Sequence, residues 1–303
     1  METKAITTIQ LNSLSIADKQ NLLQHAIAPR PIALASTISL AGEVNLSPFS
    51  FFNLFSTNPP IVIISPSRRA RDGTTKHTLH NVLEVPQVVI NIVDYDMVHQ
   101  MSLSSCEYPQ GVNEFVKAGF TPIPSVHILP PRVQESKVQL ECKVIEIKSL
   151  GNKAGAGQLI IAEVLTMHIH NSILSKEVSN VPNIDQTLLH HVARLGGNWY
   201  TKVDAANLFT IPKPNTQLGI GVDALPHSIK HSNILTGNNL GQLANVSSLP
   251  TIDPNYNDEV LKNIFQYYGI DTVALEKELH IHAANLLAHN NVHAAWQVLL
   301  SLE

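Results

Sequence analysis

Residues 28–78 decide the fold of this chain. In order, the stretch contains APRPIALAST (28–37), NLSPFSFFN (45–53) and NPPIVIISPSRRARDGTTKHT (58–78). Each segment carries a short apolar run that predicts a β-strand, and the three runs span 32–38, 49–55 and 61–64. Hydroxyl, amide and basic side chains follow these runs. Because such side chains bind phosphate, the pattern predicts a sheet protein that holds a flat, phosphorylated cofactor.

The composition indicates a large globular protein. The chain has 303 residues, of which 44% are hydrophobic, and a net charge of -4, which suits one large domain or one domain with an extension. The longest basic run is Arg68–Arg71, so we expect no nucleic-acid partner. No apolar stretch approaches the roughly 18 residues of a membrane span, and the N-terminus lacks a secretory pattern, so we expect a cytoplasmic protein without a membrane partner. Cys106 and Cys142 are expected as reduced thiols.

Local signals predict a β-rich first part with flanking helices. Ser15 followed by Asp18 predicts a capped helix over 16–25. Residues 41–43 predict the turn of a hairpin. The remaining predicted elements are helices at 74–84 (capped by Thr74 or Thr75), 95–108 and 187–195 (ended by Gly196 and Gly197), and strands at 88–93, 138–147 and 159–169, the last two forming a long hairpin.

The character of the sequence changes near residue 213. Residues 213–256 are rich in Asn, Pro and Gly, whereas residues 258–302 show apolar residues at helical spacing. We therefore predict a first domain over 1–212 and an irregular, then α-helical extension over 213–303.

A phosphate-binding segment is predicted between Ser65 and Thr78. A phosphate is bound by hydroxyl donors, a cation and free N–H groups at the start of a helix. Ser65 ends a strand, Arg68 lies on the following loop, and Lys76 and Thr78 lie in the first turn of the predicted helix. Taken alone, the same residues also fit a helix start with solvated basic side chains.

A second set of residues can contact a flat ring. If 49–55 is one strand, Ser50 and Phe52 share one face and Phe51 and Asn53 share the other. Each face then offers one aromatic ring and one polar group, as an isoalloxazine ring requires. The alternative is an ordinary strand with Phe in the core and Ser and Asn exposed.

Taken together, the three segments resemble the flavin reductase-like family, whose members fold as an FMN-binding split β-barrel. The resemblance covers roughly residues 20–205 and includes Asp72-Gly73, VINIV (89–93) and, more weakly, RLGGNWY (194–200). Two features depart from the family pattern. His77 stands between Lys76 and Thr78 where members commonly have Asp, and the extension after residue 213 is longer than in short members.

The resemblance implies a fold, a cofactor and a set of site residues. The fold is mainly β (α+β), a closed or split six-stranded barrel with flanking helices and an α-helical C-terminal extension. The cofactor is FMN, held near the interface of a homodimer. By position, Ser50, Phe51, Phe52 and Asn53 would line the isoalloxazine and ribityl chain. Ser65, Lys76 and Thr78 would hold the phosphate with help from Arg30 or Arg68, Ser36 and Thr37 would touch the flavin from the adjacent strand, and Trp199 and Tyr200 would close the site from the partner subunit.

The resemblance also implies an oxidoreductase. Hydride would pass from NAD(P)H to the flavin, and the reduced flavin would pass electrons on to an acceptor. The acceptors considered include a redox partner protein. Two alternatives are a non-enzymatic FMN electron-transfer or flavin-carrier protein and a flavin-dependent oxidase or oxygenase of the same fold. Gly219-Ile220-Gly221 is not a dinucleotide fingerprint, so a nicotinamide nucleotide would bind without its own domain. No residue is assigned a catalytic role.

Fifteen histidines raise the question of a metal site. His168 and His170 share one face of a predicted strand, and His289 and His293 share one face of a predicted helix. Neither pair has a third ligand in a matching pattern. We therefore expect hydrogen-bonded or solvated histidines and no metal.

Overall fold

The computed structural model describes residues 6–176, 180–212 and 218–302, and the chain divides into two compact units, Met1–Phe209 and Thr210–Glu303. The predicted domain boundary at 212–213 borders residues 213–217, which lie outside the described residues, so this boundary stays a prediction.

The first unit is built from short strands and a few helices. Its strands are β1 (Arg30–Pro31), β2 (Ala33–Ile38), β3 (Val44–Phe49), β4 (Phe52–Thr57), β5 (Pro60–Ile64), β6 (Gln87–Ile92), β7 (Pro122–Ile123), β8 (Arg132–Val133), β9 (Val138–Ser149), β10 (Gln158–Ile169), β11 (Val192–Arg194) and β12 (Tyr200–Lys202). Its α-helices are α1 (Ile16–Ala26), α2 (His77–Glu84), α3 (Val98–Ser104) and α4 (Glu114–Ala118).

One antiparallel sheet of seven strands dominates the unit, in the order β3-β2-β6-β9-β10-β5-β4. Its two edge strands, β3 and β4, follow each other along the chain and are joined by Ser50 and Phe51. No ladder among the described strands pairs β3 with β4, although the linker brings their ends together. The sheet is therefore a split barrel with its opening at this corner.

The packing of the core explains why the strands appear in the sequence as apolar runs. Strand β2 is buried on both faces, because Ala33 and Ala35 pack inside the barrel while Leu34 packs with α3 and α4. Each fully buried Leu or Ile side chain contributes about 1.5–3 kcal/mol to folding. β9 and β10 form the predicted long hairpin. The predicted mainly β fold with flanking helices is confirmed.

Two strand predictions are corrected. The sheet has seven strands where six were expected. The run 49–55 is not one strand, because the chain leaves β3 at Phe49, bends at Ser50 and Phe51, and starts β4 at Phe52. The expected alternation of residues 50–53 on two faces of one strand is therefore wrong.

The helix predictions met mixed outcomes. Helix α1 is confirmed with its Ser15 cap, whose Oγ accepts from the Asp18 N–H at 3.1 Å. The helix at 95–108 is shorter, since a 3-10 turn at Tyr95–Met97 leads into α3, which ends at Ser104. The prediction of a helix at 187–195 is wrong, because residues Val192–Arg194 form strand β11, which lies between β1 and β12.

Helix α2 begins later than predicted. Its N-cap is Lys76, whose side chain makes no capping hydrogen bond. The Thr74 hydroxyl instead bonds Asp72 Oδ1 at 2.6 Å and Arg69 Nη1 at 2.8 Å. The Thr75 hydroxyl contacts His80 Nε2. Both threonine side chains therefore stabilise the loop before the helix and do not cap the helix.

The second unit is helical, as predicted for the C-terminal extension. Its helices are α5 (His227–Lys230), α6 (Gly237–Leu243), α7 (Glu259–Tyr268), α8 (Thr272–Ala288) and α9 (Val292–Leu300). They pack around Trp296, which is fully buried and donates from Nε1 to the Leu243 carbonyl at 3.2 Å. Within the described ranges of the whole chain, no helix has both the length and the apolar character that a membrane crossing requires.

Candidate cofactor site

A cavity of about 890 Å³, here called cavity A, lies in the first unit where the barrel is open. One wall is the side of α1, and another is the corner between β3 and β4. The remaining lining comes from residues 65 and 67–71, Lys76, Glu107 and the turn at 154–156. Segments far apart in sequence therefore build one site.

Backbone hydrogen bonds hold these segments together. The Ser65 N–H donates to the Phe51 carbonyl at 2.9 Å, which fixes the end of β5 against the corner. The Arg68 N–H donates to the Ala156 carbonyl at 2.9 Å, which fixes the loop after β5 against the turn of the β9–β10 hairpin. The positions of the basic side chains thus follow from the sheet register.

The structure brings six of the predicted site residues together. All of them line cavity A, and they are Arg30, Ser50, Phe51, Ser65, Arg68 and Lys76. Ser50 and Phe51 lie at the corner, Ser65 is hydrogen-bonded to this corner at the end of β5, and Arg68 and Lys76 lie between β5 and α2.

Lys76 is a half-buried cation without a partner. Among the described residues, none forms a hydrogen bond or ion pair with its Nζ atom. Burial and the neighbouring Arg69 guanidinium lower the pKa of Lys76 below its ordinary value of 10.5, and Glu107 opposes this effect. An anion next to Lys76 would restore the stability of its charged form.

The arginines beside Lys76 are held in fixed positions. Arg69 donates from Nε to Glu107 Oε1 at 3.1 Å and from Nη1 to the Thr75 carbonyl at 2.8 Å. Arg68 donates from Nη1 to the Gly73 carbonyl at 3.0 Å, while its Nε is buried without a partner. Because burying an unpaired donor is costly, Arg68 Nε marks a place where an acceptor belongs.

Arg30 makes hydrogen bonds to three backbone carbonyls, and its predicted role at the phosphate stays a prediction. It is 7% exposed, and it donates to the Gln24 carbonyl at 2.6 Å, to the Ile27 carbonyl, and to the Leu195 carbonyl at 2.8 Å. Burial, and then the Arg194 guanidinium, lower the pKa of Arg30. The side chain therefore ties the C-terminal end of α1 to the loop after β11, and it also lines cavity A.

Five predicted site residues lie outside cavity A. Phe52 packs against the barrel core, and Asn53 is exposed, with its Oδ1 accepting from the Leu54 N–H at 2.8 Å. Thr78 is fully buried, and its hydroxyl accepts from Asn45 Nδ2 at 2.9 Å.

Ser36 and Thr37 complete this group. Both are fully buried on β2. The Thr37 hydroxyl accepts from Asn81 Nδ2 at 3.2 Å, whereas the Ser36 hydroxyl has no hydrogen-bond partner in the described structure. The geometry of cavity A gives no support for a binding role of these five residues, and that role stays a prediction.

The sequence reasoning missed the contributions of α1 and of the hairpin turn at 154–156. Helix α1 has no buried residue, yet Ile16, Leu23 and Ile27 are apolar and line cavity A. The signal that could have identified this wall is the apolar spacing of Ile16 and Leu23 on the predicted helix, with Ile27 directly after it.

The segment expected to close the site does not reach cavity A. Trp199 is 72% exposed, and the Tyr200 hydroxyl accepts from the Arg194 guanidinium, which lies 4.5 Å from the centroid of its ring. Their contact with a partner subunit stays a prediction.

The histidines have hydrogen-bond partners at several positions. His168 Nε2 lies 2.8 Å from Glu141 Oε1, and His289 Nδ1 lies 2.8 Å from the Asn285 carbonyl oxygen. A search of the described ranges finds no group of three or more His, Cys, Asp or Glu that could hold a metal ion. Cys106 and Cys142 are both free.

Comparison with known proteins places the first unit in a family. The model of the flavin reductase like domain matches residues 25–195. An uncharacterized protein of Halalkalibacterium halodurans is 36% identical over 210 residues, which are 68% of this chain and 97% of that protein. The structure of nitrilotriacetate monooxygenase component B from Bacillus cereus superposes with a TM-score of 0.63 at 29% identity, covering 69% of this chain and 100% of that chain.

The 2-nitrobenzoate 2-nitroreductase NbaA of Pseudomonas fluorescens superposes with a TM-score of 0.60 at 26% identity, covering 68% of this chain and 96% of that chain. The split barrel, the cavity at its opening and these matches agree on one assignment. The chain belongs to the flavin reductase-like family.

Proposed function

We propose that this chain binds FMN in cavity A and transfers hydride from NAD(P)H to the flavin. The observation that carries the proposal is the combination of two kinds of lining in one cavity. Ile16, Leu23 and Phe51 contribute apolar side chains, and Arg68, Arg69 and Lys76 contribute cations. A flavin mononucleotide combines the same two properties, with a flat ring at one end and a phosphate at the other.

The cationic wall fits a phosphate. Arg68 Nε is buried without a partner, Lys76 Nζ has none among the described residues, and Ser65 and Ser67 add hydroxyl groups. A phosphate dianion would accept from these donors in charge-assisted hydrogen bonds, which are about twice as strong as neutral ones. Glu107 is the one carboxylate among the described lining residues, and Arg69 and Arg71 pair with it at 3.1 and 3.3 Å.

The apolar lining fits a flat ring. Phe51 is 43% exposed at the corner, and Leu23 of α1 and Ile27, which follows the helix, also line the cavity. Ser50, Gln20 and Gln24 offer polar groups for the ring edge. The volume of cavity A lies within the range of about 300–1,000 Å³ that is common for cofactor sites.

When bound, FMN would supply the redox chemistry, because it accepts hydride and passes electrons on. The residues of this chain would bind, orient and shield it. Lys76 and Arg68 hold the phosphate end, and α1 excludes water from the ring. The pairing of Glu107 with two arginines leaves no free carboxylate at the described lining of cavity A, so we assign no acid–base residue.

The molecule that accepts electrons from the reduced flavin is proposed from two similar proteins. The similar Bacillus cereus protein is a component of a monooxygenase, which favours a role in which reduced flavin leaves for a partner protein. The similar Pseudomonas fluorescens protein is a nitroreductase, which favours direct reduction of a nitroaromatic compound. Steady-state NAD(P)H oxidation with free FMN, oxygen or 2-nitrobenzoate as acceptor separates the two. If the FMN-loaded protein oxidises neither NADH nor NADPH, the remaining function is that of an FMN carrier.

We also propose a homodimer. The edge strand β4 exposes Leu54 and Phe55 by 56% and 62%, and Phe51 continues this apolar strip to cavity A. Burial of the strip between two copies would remove it from water. Light scattering on the purified protein should give twice the chain mass, and the Leu54→Lys/Phe55→Lys variant should give the mass of one chain.

The cofactor is tested by uptake and release. The purified protein, incubated with FMN and desalted, should show flavin absorbance bands, and denaturation should release FMN. A protein that stays colourless after saturation with FMN would contradict the proposal.

A further inference from the structure

A second cavity of about 700 Å³, here called cavity B, lies beside cavity A in the first unit. The two cavities share a wall, because Arg68, Arg69, Arg71 and Glu107 line both of them. A ligand with two halves can therefore place one half in each cavity and cross at these residues.

The shared wall suits a negatively charged linker. Arg69 and Arg71 converge on Glu107, with N–O distances of 3.1 and 3.3 Å, so one carboxylate faces two guanidinium groups. Arg71 also pairs with Asp72 Oδ2 at 3.1 Å, and Arg68 adds a third cation, so three guanidinium groups face two carboxylates. The remaining positive charge favours the phosphate groups of a nucleotide at this crossing.

Cavity B also offers flat walls for a ring. His77 and His80 lie one turn apart on α2, with ring centroids 6.5 Å apart and an angle of 67° between the ring planes. The Thr75 hydroxyl contacts His80 Nε2 and fixes that ring. Tyr108 and Pro109 lie among the other lining residues. A heteroaromatic base can stack on one imidazole and meet the other at its edge.

His77 is suited to stacking because it is uncharged. Burial lowers its pKa below 6.5, and the cations Arg69 and Lys76, together with His80, act in the same direction. At neutral pH the imidazole therefore adds no positive charge beside a base, and the charge of the wall is left to the arginines.

We propose that cavity B binds an adenosine phosphate group, as the adenylate half of a dinucleotide whose other half lies in cavity A. This inference rests on the proposed function, because the partner half in cavity A would be a flavin or a nicotinamide next to it. Two kinds of dinucleotide carry that group, namely the flavin dinucleotide FAD and the nicotinamide dinucleotides NADH and NADPH. The experiment separates these sources.

The experiment removes the imidazole walls and measures each ligand separately. In the full chain, the double variant His77→Ala/His80→Ala is compared with wild type for the dissociation constants of FMN, FAD and 5′-AMP and for the KM of NADH and NADPH. The matched control is His227→Ala/His231→Ala, which removes a histidine pair with a centroid distance of 4.1 Å from the second unit. A Tyr108→Leu variant changes cavity B without altering α2.

The expected result is binding of 5′-AMP to wild type and at least fivefold weaker binding in both cavity B variants, with FMN affinity within twofold. At least fivefold weaker binding of FAD identifies the flavin dinucleotide as the source. At least a fivefold rise in the KM of NADH or NADPH identifies the nicotinamide nucleotide.

Two results would overturn the inference. One is wild-type protein that binds FMN but not 5′-AMP. The other is a set of FAD, NADH and NADPH values that neither cavity B variant changes. Failure of wild type to bind FMN would instead refute the proposed function, so the two failures are distinguishable.

Discussion

Gly196 lies so close to His25 that a Cβ atom added to the glycine would be 2.2 Å from Cγ of the imidazole. The contact joins the C-terminal end of α1 to the loop after β11. At the other end of the helix, Ile16 Cγ2 lies 2.9 Å from the Cβ position of Gly155, in the turn of the long hairpin. Two glycines therefore set how closely α1 covers cavity A.

We predict that Gly196→Ala weakens FMN binding by at least tenfold. The added methyl group would overlap the His25 imidazole in its present position, so we expect the ring and the end of α1 that carries it to shift. Fluorescence titration with FMN measures the affinity, and thermal unfolding shows whether the fold is retained.

A second substitution provides the control for this prediction. His25→Ala removes the obstructing ring, so the double variant Gly196→Ala/His25→Ala should bind FMN as His25→Ala does. Gly241→Ala adds a methyl group that meets no atom within 4 Å and should leave the affinity unchanged. Equal affinities of Gly196→Ala and wild type would show that α1 does not contribute to the site.

Lys76→Ala should weaken FMN binding by about 1.5–3 kcal/mol, or roughly 10- to 150-fold, as is typical of a charge-assisted hydrogen bond. Lys148→Ala removes the same charge from an exposed position on β9 and is the matched control. Unchanged affinity in Lys76→Ala would remove this residue from the phosphate site.

The affinity for FMN should also depend on pH through Lys76. Because the pKa of Lys76 in the protein lies below 10.5, its ammonium group loses the proton at lower pH than an exposed lysine does. Wild-type affinity should therefore fall as pH rises toward 10, more steeply than that of Lys76→Ala. Parallel pH curves for the two proteins would argue against a charged contact.

Glu114 should give the fold a pH dependence of its own. The side chain is buried at the start of α4 and accepts from the Leu46 N–H at 2.9 Å. Burial raises its pKa above 4.5, although that hydrogen bond opposes the shift. The folded state thus binds the proton more tightly than the unfolded state, so this stabilisation is present at low pH and is lost as pH rises through the raised pKa.

The measurement compares wild type with Glu114→Gln by urea unfolding between pH 4 and 8. The stability of wild type relative to the variant should increase as pH falls, because only wild type takes up the proton. Glu146→Gln, at an exposed position on β9, should show no such trend. A difference that is constant with pH would contradict the expectation.

Trp296→Ala should destabilise the second unit by about 3–5 kcal/mol, the usual cost of removing a buried aromatic side chain. The affinity for FMN should not change, since every described residue that lines cavity A belongs to the first unit. Calorimetry measures the unfolding transition. Ile270→Ala is the control, because Ile270 is fully exposed. Loss of FMN binding in Trp296→Ala would show that the site depends on the second unit.

Much of the fold could be predicted because local patterns and global structure agree in this chain. The strands Ala33–Ile38 and Pro60–Ile64, the long hairpin and the Ser15 cap each have a signal within a few residues. The strand Val192–Arg194 does not, because it pairs on one side with the distant strand Arg30–Pro31. Pairing with a segment more than a hundred residues away overrides the local helical pattern.

The candidate site was harder to predict than the fold. The corner at Ser50 and Phe51 carries no Gly or Asn that would indicate a turn, so the run was interpreted as one strand. Thr78 and Ser36 are buried because other segments of the barrel pack over them. The identity of a residue does not indicate such burial. Lys76 and Arg68 could be proposed from the sequence because cations and hydroxyl groups near a helix start suit a phosphate, and both residues line cavity A.

The interrupted edges of the split barrel affect how the chain associates while it folds. Strand β3 contains Pro48, which has no backbone N–H, and β4 has an irregularity between Leu54 and Ser56. A regular row of free N–H and C=O groups is what fibril growth extends. Neither edge presents one, so copies can meet through side chains here while open-ended strand addition between chains is disfavoured.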